Sequence, residues 1–188
     1  KIAEDGEILC QAPSVALGYY KDEEKTNEAF ANGWFHTGDI GMIDSDGFLF
    51  ITDRKKEMFK TSGGKYVAPQ MIENAMKQSR FIEQIMVVGE GQKMPAALIQ
   101  PNFDFIKEWA NRNKVNVGFT LDEVVKNELV IERIQKEIDI INPQFGKWEQ
   151  IKKFALTPNV WSIDTGELTP TLKLKRKVIL EKYKDLYE

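Results

Sequence analysis

Residues 54 to 188 are predicted to form a compact α+β unit, a short antiparallel sheet with packed helices, preceded by a β-rich piece over residues 1 to 53. Three observations lead there. Beyond Pro69, helix-spaced and strand-spaced apolar runs alternate, with no internal repeat. Before it, two apolar runs around a tight-turn sequence end abruptly at Asp53-Arg54-Lys55-Lys56. Charge divides at much the same place. Residues 1 to 50 hold three Lys or Arg against ten Asp or Glu, and the remainder 23 against 19, so a net charge of −3 conceals an acidic and a basic part.

In chain order, Gly6-Glu7-Ile8-Leu9-Cys10 reads as a strand, and Asp22 to Phe30 as an acidic helix-like stretch. Such a short opening cannot make its own core. The next strands are Ile40, Met42 and Ile43, then Phe48-Leu49-Phe50-Ile51, and the Asp46-Gly47 step between them marks a hairpin. Pro69 suits the first turn of a helix whose apolar face is Ile72, Ala75 and Met76. Phe81 to Gly89 and Ala96-Ala97-Leu98-Ile99 read as paired strands. Phe105 or Ile106, Trp109 and Ala110 form a further helix that Asn113 can end. Thr120-Leu121-Asp122-Glu123 has the form of a capping box, followed at helical spacing by Val124, Val125, Ile131, Ile134, Ile138 and Ile141, read as core. Trp148 to Leu156 reads as a strand and Trp161 to Pro170 as an extended loop with a turn at Thr165-Gly166. A last helix carries Val178, Ile179, Tyr183 and Leu186.

With 42% hydrophobic residues the chain can bury a real core, and no apolar run reaches membrane-spanning length. The single Cys10 excludes an internal disulfide framework, reads as a small core residue and fits a reducing cytoplasm. One histidine, His36, offers neither a metal cluster nor an identifiable Ser-His-Asp set, so no metal site is assigned. The acidic total argues against a nucleic-acid partner.

The residues that packing does not explain concentrate between Gly33 and Pro69. Asp39, after Gly38, can accept both hydrogen bonds of a vicinal diol such as a ribose, or cap a turn. Four charges at Asp53 to Lys56 imply exposed chain, whether a joint or a solvated linker. Lys60-Thr61-Ser62-Gly63-Gly64-Lys65 is a glycine turn flanked by lysines, suited to an anion or simply a turn between strands. Far downstream, Lys173-Leu174-Lys175-Arg176-Lys177 places cations at a helix start, against the helix dipole, so either a basic solvated helix start or a function requires them.

Gly33-Trp34-Phe35-His36-Thr37-Gly38-Asp39, Asp53-Arg54-Lys55-Lys56-Glu57 and Lys60 through Gln70 together resemble the late motifs of the acyl-adenylate-forming enzymes, with wording closest to long-chain fatty-acid CoA ligases, the AMP-forming acyl-CoA synthetases. The resemblance implies an acid-thiol ligase that uses ATP with Mg²⁺, a fatty acid and coenzyme A. It implies that residues 1 to 53 are the tail of a large N-terminal domain and residues 54 to 188 a mobile C-terminal lid. It also implies roles: Asp39 for the ribose hydroxyls, Arg54 for ribose or phosphate, and Lys56 as the hinge. Lys60, Gly63 and Gly64 serve the thioester step, with Tyr66 near the nucleotide. The lysine of a Gly-Lys-x-x-Arg pattern falls on Lys173, with Leu172 where many members have glycine and Lys175 as the one-step alternative. No Thr-Ser-Gly-Thr-Thr-Gly-like phosphate loop occurs in the chain, so it is expected to be a C-terminal fragment, inactive alone, whose localisation is cytoplasmic with peripheral membrane contact left open. The competing expectations are a non-catalytic nucleotide-binding or interaction module, and an adenylate-forming enzyme with another acid or acceptor.

Overall fold

The computed structural model describes residues 1–187 and divides into two compact units, Lys1–Met58 and Phe59 onward. In the first, β1 (Glu7–Cys10), β2 (Phe35–Ile43) and β3 (Leu49–Arg54) form an antiparallel sheet in that order, with α1 (Glu23–Ala29) between β1 and β2. The expected hairpin is present. Asp44 closes it, its carboxylate accepting from the amides of Asp46 and Phe48, while Gly47 adopts φ 87°. Asp39 does not precede the strand as expected; it lies inside β2, because pairing with β1 carries that strand back to Phe35. Gly41, at the register shift opposite Ile51, is a steric requirement: a Cβ there would lie 2.4 Å from the Phe50 carbonyl oxygen.

The second unit starts with a two-stranded ladder, β4 (Phe59–Lys60) and β5 (Tyr66–Val67), and then α2 (Pro69–Met76) with Pro69 in its first turn. Its main sheet contains β6 (Ile82–Val88), β7 (Ala96–Pro101) and β8 (Lys153–Leu156). The β6–β7 pair is antiparallel, whereas β8 runs parallel to β7, so this sheet is mixed. Ile85-Met86-Val87-Val88 of β6 and Ala96-Ala97-Leu98-Ile99 of β7 are apolar without alternation because both faces are covered. Ile85, Val87, Ala97 and Ile99 pack with α2, α3 (Phe103–Asn113), α4 (Leu121–Lys126) and α5 (Glu128–Ile141). On the other face Met86, Val88 and Leu98 pack with Trp161, Leu168, Ile179 and Tyr183.

Several expectations change here. The helical run after the capping box is two helices, because Asn127 leaves helical geometry (ψ 124°) and caps α5 through its side chain. That break turns Val130 into the core and leaves Ile131 37% exposed, while Ile134, Ile138 and Ile141 are buried as expected. The strand expected from Trp148 begins only at Lys153; Asn142 fixes the preceding turn by exchanging hydrogen bonds with the backbone of Ile151. The last helix is broken at Tyr183 into α6 (Arg176–Lys182) and α7 (Lys184–Tyr187), so Ile179 and Tyr183 are buried and Val178 and Leu186 are exposed. Among the described residues no helix is long and apolar enough to cross a membrane.

Candidate functional site

The candidate residues fall into three groups, one in the first unit and two in the second. In the first, Asp39 and Arg54 are register partners on β2 and β3, and Arg54 Nε lies 2.8 Å from Asp39 Oδ1. Thr37 stiffens the approach, its hydroxyl donating to the Ile8 carbonyl and accepting from the Asp39 amide. Beneath them sits Glu7, buried at 3% exposure, which sequence reading missed. Its carboxylate accepts from the Gly38 amide and Lys55 Nζ and lies 2.9 Å from His36 Nδ1. Burial alone would push the Glu7 carboxyl up, but the hydrogen bonds from Lys55, His36 and Gly38 prevail and hold it below the ordinary range.

The charged run is thus not uniformly exposed. Asp53 is fully buried, accepting from the Arg54 amide, because β3 continues through it opposite Ile40. Lys55 is tied to Asp5 (2.7 Å) and Glu7 (2.8 Å), which raise its pKa, and its amide donates to the Gly38 carbonyl. Lys56 sits in the following turn, 88% exposed at its side chain and 4.0 Å from Glu28, a contact of little energetic weight.

In the second unit, Thr61 closes the glycine turn: its amide donates to the Lys65 carbonyl, and its hydroxyl accepts from the Lys65 amide. Gly64 has φ 75°, and a Cβ there would meet nothing within 4 Å; at Gly63 it would meet only the Thr61 hydroxyl at 3.9 Å. Packing therefore does not demand these glycines, and the open backbone can approach a ligand closely. Lys60 Nζ lies 4.7 Å from the centre of the Tyr66 ring, and Lys65 Nζ 5.4 Å from that of Trp148.

Lys173 occupies a separate hairpin over residues 167 to 175. Lys175 donates its amide to the Glu167 carbonyl, Leu168 bridges Leu174, and Thr169 bonds Lys173 in both directions, by its amide to the Lys173 carbonyl and by its hydroxyl from the Lys173 amide. The turn needs a left-handed residue, and Leu172 takes it at φ 59°. Lys173 is exposed, and among the described residues its ammonium has no ion-pair or hydrogen-bond partner. Nearby, fully buried Glu167 accepts from Lys182 Nζ (2.6 Å) and the Tyr183 hydroxyl (2.9 Å). Burial opposes its ionisation, yet the bonds led by Lys182 hold its pKa down to about 2. Glu7 and Glu167 were missed in the sequence reading because a single glutamate beside apolar residues carries no signal of its distant partner.

The fold recurs within solved adenylation domains. The adenylation domain of carboxylic acid reductase from Segniliparus rugosus, a structure described in complex with AMP and a co-purified carboxylic acid, shares it at TM-score 0.77 and 23% identity, over 96% of this chain and 27% of that one. The chain belongs to the AMP-binding enzyme C-terminal domain family, whose profile matches residues 57–188. It is 41% identical over 183 residues to the long-chain-fatty-acid–CoA ligase FadD15 of Mycobacterium tuberculosis, covering 97% of this chain and 30% of that protein. Fatty acyl-CoA synthetase B of Dictyostelium discoideum is also 41% identical, with 96% and 27% covered. A fatty acyl CoA synthetase structure from Mycobacterium tuberculosis aligns at 26% identity and TM-score 0.52, over 96% and 30%. The chain therefore spans about 30% of the length of the relatives it matches.

Proposed function

We propose that this chain is the C-terminal part of an ATP-dependent long-chain fatty-acid CoA ligase, residues 1–53 closing a large domain and residues 54–188 forming its lid. The observation that carries the reading is Lys173: an unpaired ammonium on the residue that follows the turn of a hydrogen-bonded hairpin, next to a position whose positive φ is what glycine provides in a Gly-Lys-x-x-Arg pattern. That geometry also favours Lys173 over Lys175 as the reactive-site lysine.

In the first step a fatty-acid carboxylate oxygen attacks the α-phosphorus of ATP, the bond to the β-phosphate oxygen breaks, and pyrophosphate leaves. Negative charge spreads over the phosphate and carboxylate oxygens, and Lys173 supplies a cation aimed at it. Asp39 accepts from the ribose hydroxyls, and Arg54, already 2.8 Å from it, orients Asp39 and contacts ribose or phosphate. In the second step the thiol sulfur of coenzyme A attacks the acyl carbon, the thiol proton is lost, and AMP departs. Lys60, Gly63 and Gly64 belong to this step, after rotation about Lys56. Mg²⁺ accompanies ATP; the described residues hold no cluster of three metal-ligating side chains, and none is assigned to it.

The test is Lys173→Ala in the enzyme that carries this chain. Adenylation, followed by pyrophosphate release, should fall by about 10² to 10³, the usual consequence of removing one such electrostatic contact. Thioester formation from supplied acyl-adenylate should persist. Equal loss in both half-reactions would assign Lys173 a structural role.

A further inference from the structure

Helix α6 carries a cation at each end, and each cation is bonded to a buried glutamate from elsewhere in the second unit. At its start Arg176 donates to Glu73 Oε1 on α2 (2.7 Å) and to the Val87 carbonyl on β6 (2.6 Å). Glu73, 6% exposed, also accepts from the Val87 amide at 2.7 Å, so α2, β6 and α6 meet on one carboxylate. At the other end Lys182 donates to Glu167, which Tyr183 also holds. Between these anchors Ile179 is fully buried against Met86, Leu98 and Trp161.

The Lys173 hairpin is bounded by the same two anchors. Glu167 begins it, and Arg176 follows its last residue. Neither carboxylate could remain buried and charged without its cation. An arginine in the first turn of a helix also opposes the dipole, which a charge-assisted, two-bond contact outweighs.

We propose that α6 is a strut that fixes the Lys173 hairpin, with Arg176 and Lys182 as positioning residues acting through Glu73 and Glu167. Because α2 starts two residues after β5, the same strut ties the hairpin to the segment bearing the glycine turn, and the two move as one piece. That Lys173 is the reactive group so positioned rests on the function proposed above.

The experiment is peptide-level hydrogen exchange on the protein that carries this chain, wild type against Lys182→Met, Lys182→Arg and Tyr183→Phe. In Lys182→Met, exchange across residues 167 to 175 should quicken by about tenfold, the scale of one lost charge-assisted hydrogen bond, while α5 is unchanged. Lys182→Arg should restore protection. Unchanged exchange in the hairpin, or equal acceleration in α5, overturns the strut. If Lys182→Met does not fold, Tyr183→Phe removes one bond to Glu167, keeps the ring and reads the same segment. The half-reactions are measured on the same variants. Loosened exchange with undiminished adenylation would leave the strut standing and remove the catalytic reading of Lys173.

Discussion

Arg54 Nε lies 2.8 Å from Asp39 Oδ1 across a register pair of β2 and β3, so the two residues proposed for the nucleotide are one ion pair rather than separate contacts. Asp39→Asn and Arg54→Ala are each expected to weaken AMP binding by about tenfold or more, the scale of a hydrogen bond to a charged group. The double variant should lose less than the sum of the two in free energy, because the second change acts on an interaction already broken. Calorimetric titration of all four proteins measures this, and strict additivity would show that the pair does not act as a unit.

Leu172 is a leucine in a left-handed turn, 63% exposed, so its side chain contributes little burial to offset the strained backbone. Left-handed geometry costs an L-residue roughly 1 to 2 kcal/mol. Glycine removes that strain and returns part of the gain as entropy. Leu172→Gly should therefore raise stability by about 0.5 to 1 kcal/mol, seen as a higher urea midpoint at unchanged slope. A lower midpoint would mean that the leucine side chain is needed where it stands.

Glu167 gives a pH signature. Its folded pKa of about 2 lies below the ordinary 4.5, so its contribution is fully present above about pH 5 and is lost as pH falls through 4.5 toward 2. Lys182 is 42% exposed, which screens the pair and limits the loss to roughly 1 to 2 kcal/mol. Urea unfolding at pH 7 and pH 3 should show wild type losing more stability than Glu167→Gln over that interval. Equal losses would show that Glu167 does not titrate with folding.

Lys56 lies in the turn after β3, its side chain almost fully exposed, so any role it has belongs to its backbone. Proline there fixes φ near −65° and biases Lys55 toward extended geometry. Lys56→Pro is expected to leave adenylation largely intact and to depress thioester formation in single-turnover measurements, with the melting temperature checking the fold. A well-folded variant with both rates unchanged would show that Lys56 is not the hinge.

By itself the sequence determined the elements that local rules specify. Asp46-Gly47 marked the hairpin, Thr120 and Glu123 the capping box, Pro69 the start of α2, and the apolar runs of β6 and β7 a pair of strands. The residues proposed for the site, Asp39, Arg54, Lys60, Gly63, Gly64 and Lys173, were picked out for the same reason: they stand in short, ordered patterns. The tertiary structure alone decided what depends on partners far along the chain. Asp53 is buried because β3 continues opposite Ile40, and Ile131 is turned outward because Asn127 restarts the helix. Glu7 reaches Lys55, Glu73 reaches Arg176 across 103 residues, and Glu167 reaches Lys182. A buried carboxylate is stable only where cations or hydrogen-bond donors meet it. Local propensity cannot reveal that meeting, because packing alone brings the two residues together.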